Sequence, residues 1–563
     1  MTSPAFNPSS LAVWDGLDHH KFRDERAAVA DNLALTPLDA GEREAVVAEA
    51  IDLVEHARRS QKKQGVVESF LQQFSLGTRE GLALMCLAEA LLRVPDEETR
   101  DRLIAEKIGS ADWASHLGQS DSLFVNASTW GLMLTGKLVD VDDEARTDLP
   151  GFLKRIAGRL GEPVIRQAVA TAVKIMGEQF VVGRTIQAAL KRSNREGWLC
   201  SFDMLGEGAR TLADADRYEQ IYADAIEAVG RTAKGQGPEH GHGVSVKLSA
   251  LSPRYEATQE DGVWATLYPR VLRLARIAAK HDINFTMDAE EADRLALSLK
   301  LLDRLAHEAD LGGWTGLGLA VQAYQKRGLE TIQRVADLAR RSGRRLMVRL
   351  VKGAYWDTEI KRAQERGLDG YPVFTRKAMT DLNYITCARK LLALRPQLFP
   401  QFATHNALTV ATILELSDDP SSFEFQRLHG MGEALYAQLG QDRPEIAHRT
   451  YAPVGSHRDL LAYLVRRLLE NGANSSFVAL AADNRVSIVD LLRRPAEIIG
   501  ADDNAAYSGI PLPADLYRPQ RENSHGIEFG ERKALDALTS AITVEPKAAS
   551  GAVAASTNEQ ANA

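Results

Sequence analysis

Eight short apolar segments follow one another along the second half of the chain, and a stretch of helical spacing separates most neighbours. The segments are Trp198–Leu205, Gly243–Leu251, Asn284–Glu290, Leu317–Tyr324, Arg345–Gly353, Phe402–Asn406, Phe423–His429 and Thr450–Gly455. Between them, Arg217–Val229, Leu267–His281, Ala292–Ala309, Gly328–Arg341, Thr375–Leu392 and Val410–Leu416 have helical character, as does Arg458–Asn471 after the last. Strands alternating with helices leave a closed barrel or a doubly wound sheet as the main solutions. No GxGxxG follows a strand candidate, so a Rossmann dinucleotide fold is not indicated. The expected fold class is α/β, a (β/α)8 TIM-like barrel preceded by an all-α region.

The region before the barrel has no convincing strand. Val46, Val47, Ala50, Ile51, Val54 and Ala57 recur at helical spacing among charged residues. The expected division is a disordered N-terminus (1–16), a helical arm (17–60), a helical domain (61–190), the barrel (191–480), a proline-containing post-barrel segment (481–535) and a flexible tail or truncated linker (536–563).

A net charge of −8 over 563 residues offers no basic face, so nucleic acid is not an expected partner. Cys86, Cys200 and Cys387 lie far apart with no CxxC, which fits a reducing, cytoplasmic compartment. No secretory signal is visible, and the most apolar windows are too short to span a bilayer.

Polar groups crowd the C-terminal ends of the strand candidates, where barrels of this kind place their chemistry. Lys247 stands in Ser245-Val246-Lys247-Leu248-Ser249, amid apolar residues, and must lose its proton or find a carboxylate. Asp288, one strand over, is the natural partner. A Schiff-base nucleophile, a charge beneath a bound carboxylate and a structural ion pair all remain open for Lys247. After strand five, the backbone amides of Lys352, Gly353 and Ala354 can approach a phosphate, Trp356 can stack on an aromatic ring, and Arg349 can point into the mouth. His240, His242, His405 and His429 do not complete a metal motif, so no metal is expected.

Residues 463–470, Tyr-Leu-Val-Arg-Arg-Leu-Leu-Glu, carry a further signal. On a helix Tyr463, Arg466 and Arg467 share a face, with Glu470 one turn beyond. Two guanidiniums beside a tyrosine make a carboxylate or phosphate clamp, although such spacing alone also suits a solvated salt-bridge face.

Taken together, Asp203-Met204-Leu205-Gly206-Glu207, Ser245–Ser249, Met287–Glu290, Arg349–Trp356, Ala403–Asn406 and Tyr463–Arg467 resemble the proline dehydrogenases. The likeness runs from about Leu17 to Ser524. More narrowly it is to the proline dehydrogenase part of the bacterial bifunctional proline-utilisation flavoenzymes (PutA). The resemblance implies FAD at the barrel mouth and L-proline as substrate, oxidised to 1-pyrroline-5-carboxylate by hydride transfer to the flavin. It implies that Lys247, Arg466 and Arg467 bind the proline carboxylate, with Asp288 holding Lys247. Tyr355, Leu428, Tyr451 and Tyr463 would enclose the ring, and Arg467 with Glu207 would gate it. Arg349 would lie beside the hydride acceptor. Gln322, Val351, Gly353, Trp356, Thr375, Lys377, His405, Asn406 and Glu470 would hold the FAD.

A membrane quinone is the implied electron acceptor, so a cytoplasmic location with peripheral contact at the inner membrane is expected; a homo-oligomer is compatible with this. No short basic strand followed by two helices opens the chain, and no thiol nucleophile or Rossmann fold follows Asn474. Neither a repressor role nor aldehyde dehydrogenase activity is therefore expected of this chain. Two other readings stay open: a Schiff-base barrel lyase using Lys247, and a non-catalytic helical scaffold.

Overall fold

The computed structural model describes residues 8–35, 38–60, 99, 181–455, 463, 477–482 and 485–542. Eight strands close into one parallel barrel in chain order: β1 (Leu199–Met204), β2 (Gly243–Val246), β3 (Asn284–Met287), β4 (Leu317–Gln322), β5 (Leu346–Val351), β6 (Leu398–Ala403), β7 (Glu424–Leu428) and β8 (Ala447–Val454). β1 closes the ring by pairing with β8 from Leu199–Arg449 to Met204–Val454. The strands read as apolar runs because they are covered on both sides: by the barrel interior and by the helices outside.

Ahead of the barrel lie α1 (Glu25–Leu35), α2 (Ala40–Ser60) and α3 (Ile186–Glu196). The outer helices are α4 (Leu212–Thr232), α5 (Tyr268–Lys280), α6 (Leu295–Ala306), α7 (Gly328–Ser342), α8 (Trp356–Arg366), α9 (Lys377–Ala393), α10 (Ala407–Leu416) and α11 (Glu433–Asp442). Their apolar stripes pack onto the strands while charged residues face out. Local chemistry sets several ends. Thr211 and Asp214 form a capping box at the start of α4. Gly343 closes α7 in the left-handed conformation that glycine adopts without strain. Among the described residues, no helix is long and apolar enough to cross a membrane.

Four expectations need correction. Strand six is Leu398–Ala403 and not Phe402–Asn406, so the Thr404-His405-Asn406 group lies beyond the strand. Pro400 sits inside that strand, which a local reading takes for a break. Helices α8 and α11 went unread; α8 is largely polar, and α11 is short with a glycine at Gly440. The chain is ordered well before residue 17: Pro8–His20 forms a 3-10 helix and buries Trp14, whose indole donates to Asp303 Oδ2 at 2.8 Å. That partner is 289 positions away, out of reach of local composition. Near the other end, a helix spans Arg532–Ile542, across the expected start of the tail. The expected all-α domain at 61–190 falls mostly outside the described residues.

The barrel interior is unusual in chemistry. The strands' inward positions include Ser201, Asp203, Ser245, Thr286, Arg349, Gln401, Glu424, Gln426 and Arg449, all buried. A TIM barrel interior is ordinarily dominated by branched apolar side chains. Here a hydrogen-bonded polar column takes part of that space, and it leads up to the mouth.

Candidate active site

Lys247 follows β2 directly and is buried. Its ammonium donates to Asp203 Oδ1 at 2.7 Å, Tyr451 Oη at 3.2 Å and Asp288 Oδ2 at 3.3 Å. The expected pairing with Asp288 is present, and Asp203, on β1, is nearer still. Tyr451, on β8, donates in turn to Asp288 Oδ2 at 2.7 Å. Arg349, on β5, completes the group. Its Nη1 donates to Asp288 Oδ1 at 2.8 Å, its Nη2 to Ser201 Oγ at 2.9 Å and its Nε to Gln426 Oε1 at 2.7 Å.

This cluster holds two cations and two carboxylates. Burial opposes the Lys247 ammonium, but Asp203, Tyr451 and Asp288 outweigh it and hold its pKa well above the ordinary value. Burial pushes the Asp203 carboxyl up, against the pull of Lys247. Burial, with Asp203 and Asp288 beside it, also pushes the Tyr451 phenol up, so it remains a neutral donor. A charged Lys247 is the direction that fits three acceptors within hydrogen-bond reach.

Around this centre, Leu428 ends β7 and pairs in register with Tyr451. Its backbone N–H donates to His405 Nε2 at 3.0 Å. Asn406 caps α10 by accepting from Thr409 N. Glu207 lies half-buried in the loop after β1, Tyr355 half-buried at the start of α8, and Tyr463 is buried. His429 lies against Trp198 with its ring tilted, the centroids 5.3 Å apart. His242 precedes β2 and accepts from Cys200 N, which places it at the opposite rim from His405. Arg466, Arg467 and Glu470, the rest of the expected clamp and cofactor set, lie outside the described residues.

Of the expected cofactor residues, Gln322, Val351, Lys352, Gly353, Ala354, Trp356, Thr375 and Lys377 lie around the ends of β4 and β5 and the starts of α8 and α9, while His405 and Asn406 follow β6. Gln322 and Val351 pair in register at the ends of their strands. At Gly353 φ is +136°, and a Cβ there would lie 2.4 Å from the Tyr324 ring. Only glycine lets the backbone pass so close. The turn Lys352-Gly353-Ala354 then leads into α8, whose N-terminus has no side-chain cap. Lys352 and Lys377 both pair with Asp381, the latter at 2.6 Å. Although burial raises the Asp381 carboxyl, the two ammonium groups bring it below its usual range. Trp356 donates its indole N–H to Phe374 O, and Thr375 donates to Glu25 through both its backbone N and its Oγ1. An uncapped helix start, a closely held glycine turn and two ammonium groups are donors suited to phosphate. These residues fit a phosphate-bearing cofactor.

Four contributors were missed from sequence: Asp203, Ser201, Gln426 and Glu25. Asp203 stood in the motif that ends in Glu207 but was given no role. Gln426 lies two residues before Leu428, so strand periodicity turns both inward. Glu25 had no signal, because its partner Thr375 is 350 residues away.

Residues 186–480 match the family model described as proline dehydrogenase. Residues 66–180 match the model described as the DNA-binding domain of proline dehydrogenase. The chain is 52% identical over 496 residues to the bifunctional protein PutA of Klebsiella aerogenes, covering 85% of this chain and 38% of that protein. It is 50% identical over 507 residues to the one of Escherichia coli strain K12, covering 87% and 38%. Proline dehydrogenase 1 of Bacillus subtilis strain 168 is 27% identical over 318 residues, 55% of this chain and 92% of that protein. Among solved structures, Bradyrhizobium japonicum Proline Utilization A superposes with a TM-score of 0.74 at 54% identity, covering 92% of this chain and 52% of that one. The chain thus spans about two fifths of the length of the PutA proteins it matches. One expectation is withdrawn. The description of the model over 66–180 names DNA binding, in conflict with the exclusion of nucleic acid. Net charge is a sum over the whole chain and does not report on one segment.

Proposed function

The chain belongs to the proline dehydrogenase family, and from that premise we propose that it oxidises L-proline to 1-pyrroline-5-carboxylate with FAD bound at the barrel mouth. The observation that carries this reading is Lys247, held as a charged ammonium between Asp203 and Asp288 beneath Tyr451 and beside Arg349. A small zwitterion needs a cation for its carboxylate and an apolar wall for its ring. Lys247 supplies a charge at the floor. Leu428, Tyr355, Tyr451 and Tyr463 supply the wall.

The described cluster is balanced, with two positive and two negative groups, and Lys247 already donates to three acceptors. A bound carboxylate therefore calls for further cations, and Arg466 and Arg467 fill that role in this reading, with Glu207 paired to Arg467 as the gate. Arg349 would stand against the ring portion of the cofactor. Gln322, Val351, Lys352, Gly353, Ala354, Trp356, Thr375, Lys377, His405, Asn406 and Glu470 would hold the remainder. Bound there, FAD would supply the acceptor for the hydride that leaves the ring carbon beside the nitrogen. The nitrogen gives up a proton and the carbon–nitrogen double bond forms. The residues orient the ring and keep water from it.

In this reading a membrane quinone takes the electrons, and the protein acts in the cytoplasm with peripheral contact at the inner membrane. The domain division into a helical region (61–190) and a catalytic barrel (191–480) belongs to the same proposal. DNA enters as a partner of residues 66–180 on the model's description alone, and a mobility-shift assay at low and high salt tests it. The lyase alternative is disfavoured, since a lysine held protonated by two carboxylates is a poor nucleophile. The decisive experiment is a visible spectrum of the purified chain before and after proline. Flavin bands that bleach on addition support the proposal; a colourless chain that binds no FAD overturns it.

A further inference from the structure

We infer that Gln426, oriented by Glu424, is a positioning residue that fixes the tilt of Arg349 and through it the ease with which the bound flavin is reduced. The inference rests on the functional reading above. Gln426 stands between a group that can only accept and a group that can only donate. Its Nε2 donates to Glu424 Oε1 at 2.7 Å, and its Oε1 accepts from Arg349 Nε at 2.7 Å. The reverse amide orientation would set a carbonyl against a carboxylate and an N–H against a guanidinium. Chemistry alone therefore dictates which way the amide faces.

Glu424 is itself immobilised. Gln401 Nε2 donates to its Oε1 at 2.8 Å, and Arg449 donates to Oε1 at 2.7 Å and to Oε2 at 2.9 Å. Arg449 also donates to Gly241 O at 2.7 Å, Glu239 O at 3.0 Å and Pro238 O at 3.1 Å, on the far rim of the barrel. Gln401, Glu424 and Arg449 are wholly inaccessible to solvent. A continuous hydrogen-bonded column thus runs from the short helix Gly237–His240 and its cap Gly241 to Arg349.

The column leaves Arg349 little freedom. Three of its five N–H groups are engaged, by Gln426, Asp288 and Ser201. A cation held against a flavin favours the negative charge that reduction creates, and its effect depends on where it is aimed. Loss of the Nε acceptor lets the guanidinium rotate about its remaining bonds.

The test uses the full chain loaded with FAD and the substitution Gln426→Met, which keeps the volume and removes the acceptor. We expect kcat for proline-dependent dye reduction to fall roughly tenfold with KM for proline within about twofold. The flavin midpoint potential should drop by about 30 mV, a tenfold shift of the two-electron equilibrium. Gln426→Glu is the rescuing variant. Protonated, it donates to Glu424 and accepts from Arg349 as the amide does; ionised, it faces Glu424 as a second carboxylate. Its potential should match the parent at low pH and fall away from it as pH rises. A parent chain whose flavin proline does not reduce would overturn the functional reading itself. A parent that works, beside a Gln426→Met chain with lowered Tm but unchanged potential and kcat, would make Gln426 merely structural and overturn the inference alone. If Gln426→Met does not fold, Gln426→Glu decides: a potential that tracks the parent across the pH range in which infrared difference spectra show the introduced carboxyl to ionise also overturns it.

Discussion

Lys247 lies closer to Asp203 than to Asp288, 2.7 Å against 3.3 Å, so the first strand of the barrel supplies the nearer of its two counter-charges. Asp203→Asn keeps the shape and removes a buried charge from a matched set. We expect a loss of about 2 kcal/mol in unfolding free energy, within the range for breaking part of a buried ion pair. Equilibrium urea unfolding measures it, and a midpoint equal to the parent's would show that the pairing contributes nothing.

Arg466→Met and Arg467→Met should each raise KM for proline by roughly ten- to a hundredfold, with FAD retained. A lost charge-assisted contact to a carboxylate costs on the order of 1.5–3 kcal/mol. The motive is the balanced charge of the Lys247 cluster, which calls for further cations beside Lys247 at the substrate carboxylate. Unchanged KM values in both variants would remove the clamp from the mechanism.

Lys247 should act through its charge and form no imine. Asp203, Tyr451 and Asp288 keep its pKa well above the ordinary value despite burial, so it stays protonated at neutral pH. Borohydride added with proline should leave the lysine unmodified. A mass increase mapped to Lys247 would favour lyase chemistry.

Gly353→Ala should lower stability by on the order of 1–3 kcal/mol, because φ is +136° and the new methyl meets Tyr324. The turn it disrupts carries the amides proposed for phosphate, so the flavin-to-protein ratio after gel filtration should fall as well. A variant with full flavin content and unchanged Tm would contradict the tight passage at this turn.

Glu359 sets a pH dependence. Burial chiefly, with Asp293 and Glu291 adding to it, pushes its carboxyl up to about 7, although the Ala292 N–H pulls the other way. The folded chain therefore binds a proton more readily than the unfolded chain. The resulting stabilisation is full below the ordinary carboxylate pKa and is lost as pH rises through about 7. Its size is on the order of 3 kcal/mol at most. Glu359→Gln should flatten the decline in stability between acidic and neutral pH. A parent and variant with parallel profiles would place the titration elsewhere.

The alternation of strands and helices was legible because each barrel strand is an apolar run and each longer outer helix has one apolar stripe. Polar helices such as α8 escaped, since only a few apolar residues seat them, here Ile360 and Ala363 with Trp356 beside them. Lys247 and Asp288 were paired from sequence because a buried ammonium demands a carboxylate on a neighbouring strand. Asp203 satisfies the same demand from the other side, yet only the register between β1 and β2, which sets Asp203 opposite Ser245, brings it within reach of Lys247. Gln426 and Glu25 show the remaining gap. Their partners lie 77 and 350 positions away, and single-strand periodicity gives a side chain's face but not its neighbour across the barrel.

The pairing of β1 with β8 has a consequence for synthesis. Ser201 and Asp203 leave the ribosome roughly 250 residues before Tyr451, judged from their numbering. Until β8 is free of the exit tunnel, the first strand has one open edge, Lys247 lacks its tyrosine, and the polar column lacks Arg449. Such long-range closure is slow and exposes unpaired edges on the way. The nascent barrel should therefore depend on chaperone holding until its last strand arrives, and its binding floor is finished only when the ring is.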